Sequence, residues 1–138
     1  MSSHRGPHRG VIEEEDATTL KLGEGYEESA CLFISEVKIL LEATQRPNTS
    51  EVYQKTVNYV NQFNRFTNAD VVREVRKGMN EEPIRTILKG FELTQLANLC
   101  CEEAEEAKAL VPSLANKIDD DALQNFLNTI LDLKKFQT

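Results

Sequence analysis

Beyond Ile34, apolar residues recur three and four positions apart, and no stretch alternates apolar with polar over four residues. Spacing of three and four gathers apolar side chains on one face of an α-helix, whereas a half-buried strand needs strict alternation. The body of the chain is therefore expected to be all-α. Pro47, Gly78, Pro83 and Pro112 interrupt the pattern. Five or six helices of modest length follow, packed as an irregular bundle of crossing helices rather than a coiled coil.

The first helix is expected over 36–43, with Ser35 as N-cap and Val37, Leu40 and Leu41 on its buried face. After a break at 47–50, a second helix over 51–66 carries two adjoining stripes. Tyr53, Val57, Val60 and Phe63 make one, and Val52, Tyr59 and Phe66 the other, an arc broad enough to call for more than one covering neighbour. Asn68 is placed to cap a third helix over 69–77, whose Val71, Val72 and Val75 face inward, whose Arg73, Arg76 and Lys77 form a small basic face, and which Gly78 ends. Pro83 lets a helix start near Ile84, leaving 78–82 as the main internal loop.

Further on, Leu93, Leu96, Ala97 and Cys100 share one helical face, and Ala104, Ala107 and Val111 form the small-residue face of a helix that Pro112 stops. A last helix opens at Asp119, Asp120 and Asp121 and repeats Leu123, Phe126, Leu127, Ile130 and Leu133. Acids at its start and Lys134 and Lys135 at its end both suit the helix dipole.

The 138 residues, 40% hydrophobic and 28% charged, suit one folded domain with an extended arm. Residues 1–10 offer almost nothing to bury and are read as a disordered tail. Residues 11–34 form the arm, and 35–138 the helical domain. From 11 to 28 the arm holds seven acids and one lysine, a charge of −6. Leu20-Lys21-Leu22 alternates before Gly23 and Gly25, the pattern of a short strand that needs a partner sheet.

The net charge of −7 is the wrong sign for a chain whose main task is gripping nucleic-acid phosphates. Three cysteines, Cys31, Cys100 and Cys101, are too few for a disulfide framework, so a reducing compartment, cytosol or nucleus, is expected. The apolar runs are too short to span a membrane, and the polar N-terminus lacks a secretory signal pattern. His4 and His8 both fall in the tail, so histidine-based catalysis has no rigid support, and no phosphate loop, serine elbow or metal-ligand spacing is found. No catalytic residue, metal or cofactor is expected. Glu102, Glu103, Glu105 and Glu106 read as a solvated helix start. Arg65, Arg73, Arg76 and Lys77 are the one candidate nucleic-acid face, small and without interleaved aromatic residues. The acidic arm has enough apolar positions to dock but too few to fold, which argues for an obligate partner.

Several ordered strings resemble one family. They include Glu14-Glu15-Asp16-Ala17 before Leu20-Lys21-Leu22-Gly23, Lys55-Thr56-Val57-Asn58-Tyr59 before Phe63-Asn64-Arg65-Phe66, and Leu96-Ala97-Asn98-Leu99-Cys100. Ala104-Glu105-Glu106-Ala107, Val111-Pro112-Ser113-Leu114 and the closing Lys135-Phe136-Gln137 continue the series. Across about 13–137 the chain resembles the family of subunit four of eukaryotic RNA polymerase II.

The resemblance implies a non-catalytic subunit that forms the polymerase stalk with subunit seven, near the RNA exit channel, and supports initiation and nascent-RNA handling. It implies a helical part, about 50–138, similar to the helicase-and-RNase-D C-terminal (HRDC) fold. It also implies that the arm and first helix pack on the partner, through Leu20, Leu22, Leu32, Ile34, Val37 and Leu41. RNA contact would fall mainly to the partner's OB-fold. A nuclear location, with shuttling to the cytoplasm, is implied too, with no membrane and no small-molecule substrate. The competing reading is a free-standing HRDC-type domain that binds nucleic acid through its four basic residues.

Overall fold

The computed structural model describes residues 14–26, 30–44 and 50–137. The elements are a 3₁₀ turn (Ala17–Thr19), α1 (Ile34–Thr44), α2 (Glu51–Phe63), α3 (Ala69–Met79), α4 (Ile84–Ile87), α5 (Gly90–Leu99), α6 (Ala104–Leu110), a second 3₁₀ turn (Pro112–Leu114) and α7 (Asp120–Lys135). The all-α expectation holds: among the described residues there is no strand, and seven helices replace the five or six read from the sequence because α4 adds a single turn. The tail read over 1–10 lies outside the described residues.

Helix starts follow their capping chemistry. The Ser50 hydroxyl accepts the Tyr53 N–H, Asn68 accepts those of Asp70 and Val71, and Asp119 accepts that of Ala122. Each satisfies a donor that the first turn leaves without an intrahelical partner. The start of α6 is satisfied from another helix: Gln124 on α7 accepts the Ala104 N–H at 2.8 Å and donates its amide to the Glu102 carbonyl. That exchange ties α6 to α7.

Four expectations are corrected. Ser35 does not cap α1; it lies buried inside the helix, and its hydroxyl accepts the Phe66 N–H at 3.1 Å. The α1 start is served by Glu36, which accepts the Phe33 N–H, and by Asn98, which accepts that of Ile34. Helix α2 stops at Phe63, three residues short of expectation, because extended backbone at Asn64 carries the chain inward until Phe66 packs edge-on against Phe33. Helix α3 runs through Gly78 to Met79, whose side chain is fully buried and draws the last turn into the core.

The short strand at Leu20–Leu22 is the fourth. Asp16 and Lys21 exchange backbone hydrogen bonds of 2.9 Å across a tight turn, with Leu20 left-handed at φ 60°. A left-handed residue breaks the extended alternation that a strand requires. The turn is locked by Asp16, whose carboxylate accepts from the Thr18 N–H and hydroxyl, contacts that hold its pKa below the ordinary carboxylate value. It lies beside the Pro112–Leu114 turn.

The core gathers where α3 meets α7, α6 meets α7 and α1 meets α3. Phe33, Phe66, Val75, Met79, Leu96, Leu114, Leu123, Leu127 and Ile130 are its largest fully buried apolar side chains. Gln137 fastens the chain end to the α2–α3 connection, donating to the Arg65 carbonyl and accepting the Thr67 N–H. Among the described residues one charged side chain is buried in the core: Glu92 is 0% exposed, and its carboxylate accepts from the Lys89 N–H, the Ser113 hydroxyl and the Lys117 ammonium at 2.6–2.9 Å.

Candidate interaction surface

Helices α1 and α3 leave a groove of about 590 Å³ between them. Leu32, Ile39, Leu40 and Val72 supply its apolar surface, and Glu36, Arg73, Arg76, Lys77 and Asn80 its polar edge. The pattern comes directly from helical spacing, since 36, 39 and 40 share one face of α1 and 72, 73, 76 and 77 one face of α3, which Asn80 caps. Leu32 and Leu40 are 49% and 50% exposed, an apolar pair left open to solvent.

One bolt closes the base of the groove. The Arg76 guanidinium donates to both oxygens of Glu36, with Nε to Oε2 at 2.8 Å, and to the Cys31 carbonyl at 2.9 Å, and it lies 5.7 Å from the Phe33 ring centre. Those hydrogen bonds to Glu36 raise the Arg76 pKa against the opposing effect of burial. Arg73 is exposed and, among the described residues, paired only with Asp70 one turn earlier on its own helix. Lys77 is exposed and takes part in no ion pair among the described residues. Two cations therefore face solvent at the rim, while the third is committed inside.

Residues singled out in the sequence scatter when placed. Arg73, Arg76 and Lys77 come together at the groove, but Arg65 does not; its Nε reaches the Asn98 carbonyl at 3.3 Å. Of the six apolar arm and helix residues, Leu32 alone lines the groove. Leu41 faces α2, lining a smaller depression with Tyr53, Val57 and Val60, while Ile34 and Val37 are half-buried. Leu20 and Leu22 are half-buried in the turn that lies beside Pro112–Leu114.

The sequence reading missed Ile39 and the Glu36–Arg76 pair. A signal was available, since Arg76 follows Val72 by four and precedes Met79 by three and so falls on the inward edge of α3. Both α2 stripes are corrected in part: Val52 and Tyr59 of the second and Phe63 of the first stay exposed, with the Tyr59 and Phe63 rings 4.7 Å apart, while Phe66 is buried beyond the end of the helix. Glu102, Glu103, Glu105 and Glu106 are all exposed around the α6 start, as expected.

Among the described residues no group of three or more His, Cys, Asp or Glu side chains could hold a metal ion, and no helix is long and apolar enough to cross a membrane. Cys100 and Cys101 are buried, and burial raises the pKa of both thiols. Chemically, the groove can desolvate apolar side chains and attract negative charge.

Comparison with known proteins identifies the family. The family model described as RNA polymerase Rpb4 matches residues 31–134, which takes in all seven helices but the last residue of α7. The DNA-directed RNA polymerase II subunit rpb4 of Schizosaccharomyces pombe is 42% identical over 136 residues, covering 92% of this chain and 97% of its own. Subunit 4 of the Arabidopsis thaliana enzyme is 38% identical, with 91% and 97% covered, and the Dictyostelium discoideum rpb4 35% identical, with 92% and 94% covered. Identity at this level across nearly whole chains leaves one conclusion: the chain belongs to the RNA polymerase Rpb4 family.

Proposed function

We propose that this chain is a non-catalytic subunit of nuclear DNA-directed RNA polymerase II and pairs with subunit seven to form the stalk beside the RNA exit channel. The observation that carries the reading is the match to proteins named as subunit four, which extends over almost the full length of both chains. In this role the chain supports initiation and nascent-RNA handling, with RNA held mainly by the partner's OB-fold. The arm, residues 11–34, and α1 supply the partner contacts, with Leu20, Leu22, Leu32, Ile34, Val37 and Leu41 as the candidate residues, and 50–138 forms an HRDC-like unit. Shuttling to the cytoplasm belongs to the same proposal.

Two observations weigh against a free-standing nucleic-acid-binding domain. Arg76 is committed to Glu36, and Arg65 lies apart from the other three basic residues. What is left is Arg73 and Lys77 on a chain of net charge −7, too few cations for phosphate binding by counterion release.

Co-expression with the polymerase II subunit seven of the same organism tests the proposal. One 1:1 complex on size exclusion is expected. Separate elution of two folded monomers would overturn it.

A further inference from the structure

We propose that the α1–α3 groove is a docking site for an acidic amphipathic helix of a protein partner. The inference rests on reading α1 as partner-facing, and it adds the chemistry of what that helix takes. Three observations carry it. The apolar surface is open among the described residues, with Leu32 and Leu40 half-exposed beside Ile39 and the buried Val72. A single buried Leu contributes about 1.5–3 kcal/mol relative to exposure, so an occupant burying two has a real driving force.

The second observation is the charge of the rim. Arg73 and Lys77 stand at solvent on successive turns of α3, and the largely shielded Arg76 lies beneath them, committed to Glu36. Of the acids among the described residues, Asp70 is paired with Arg73 and Glu36 is already neutralised by Arg76. Lys77 is thus the rim cation without an ion pair among the described residues, on a chain whose net charge is −7, and it favours carboxylates flanking an apolar stripe.

The third observation is the make-up of the walls. Both are α-helices with internally paired backbones, and no sheet edge is present there to accept an added strand. An extended peptide would bury its own N–H and C=O groups without partners, whereas a helix arrives with them satisfied. No aromatic side chain lines the groove, so it offers no platform for stacked bases.

The test is an unbiased selection. A library of 16-residue helical peptides, varied at all surface positions, is selected on the immobilised full-length chain, and the enriched peptides are mapped by NMR. Enrichment of Leu, Ile or Phe at helical spacing, flanked by Asp and Glu, with shifts at Leu32, Leu40, Val72 and Lys77, is expected. Arg73→Glu with Lys77→Glu, both on exposed side chains, should weaken those peptides by about tenfold and redirect a repeat selection toward Lys and Arg. Neutral or basic consensus peptides, shifts elsewhere, or no enrichment would overturn the inference. Tighter occupation of the same residues by a single-stranded RNA 12-mer would overturn it as well. If selection fails while the 1:1 complex with subunit seven forms, this inference alone falls. If selection succeeds and that complex does not form, the stalk reading falls instead.

Discussion

Arg76 on α3 and Glu36 on α1 meet in a two-pronged ion pair that spans the joint between their helices. Both side chains are largely shielded, at 31% and 15% exposure, and the guanidinium also donates to the Cys31 carbonyl. Arg76→Ala should therefore cost about 2–3 kcal/mol, between the surface and fully buried limits for such pairs. A double-mutant cycle with Glu36→Gln, followed by urea unfolding, should return a coupling of about 1–2 kcal/mol. Additive losses would show that the pair does not hold α1 to α3.

Glu92 and Lys117 present a sharper case, because the carboxylate is wholly enclosed. Lys117→Met should cost about 3–5 kcal/mol by leaving a buried charge without its main counterion. Adding Glu92→Gln should recover part of that loss, since the amide oxygen can still accept the Lys89 N–H while its NH2 donates to the Ser113 hydroxyl oxygen. A single variant as stable as the parent chain in urea would contradict this role.

Core truncations separate the buried face of the bundle from the open face of α2. Leu96→Ala and Leu127→Ala, both at 0% exposure, should each cost about 2–5 kcal/mol. Phe63→Ala should cost less than about 1.5 kcal/mol, because that ring is 44% exposed and packs chiefly on Tyr59. Thermal midpoints of the three variants decide the order.

The buried thiols give a pH dependence. Burial raises the pKa of Cys100 and Cys101 above the ordinary 9.0, so the folded chain keeps protons that the unfolded chain releases first. Their contribution is complete below pH 9 and is lost as the pH rises through the folded values. Between pH 8 and 10, the chain should lose more stability than its Cys100→Ala, Cys101→Ala variant, measured by urea unfolding at each pH. Equal losses would show that other groups carry the dependence.

Much of the fold was legible because helix periodicity and caps are local signals. Leu93, Leu96 and Ala97, or Leu123 through Ile130, mark their own buried faces, and Asn68 and Asp119 cap where their chemistry places them. What escaped depends on partners far along the chain. Ser35 looks like a cap until Phe66, 31 residues later, claims its hydroxyl. The α2 stripes look buried throughout, but Val52, Tyr59 and Phe63 stay exposed. Leu20-Lys21-Leu22 alternates like a strand, but Asp16 closes the turn on itself. Of the interaction surface, Leu32, Arg73 and Lys77 could be singled out from the sequence. Their convergence on one groove, and the diversion of Arg76 to Glu36, follow from the packing of α1 on α3.

The most direct measurement of the polymerase assignment is composition in the cell. The tagged full-length chain, expressed at its natural level, is recovered from nuclear extract with RNase present, and the co-purifying proteins are quantified by mass spectrometry. A stalk subunit should bring down subunit seven at one copy per chain together with the large catalytic subunits of RNA polymerase II. Recovery of the chain without any polymerase subunit would contradict the account.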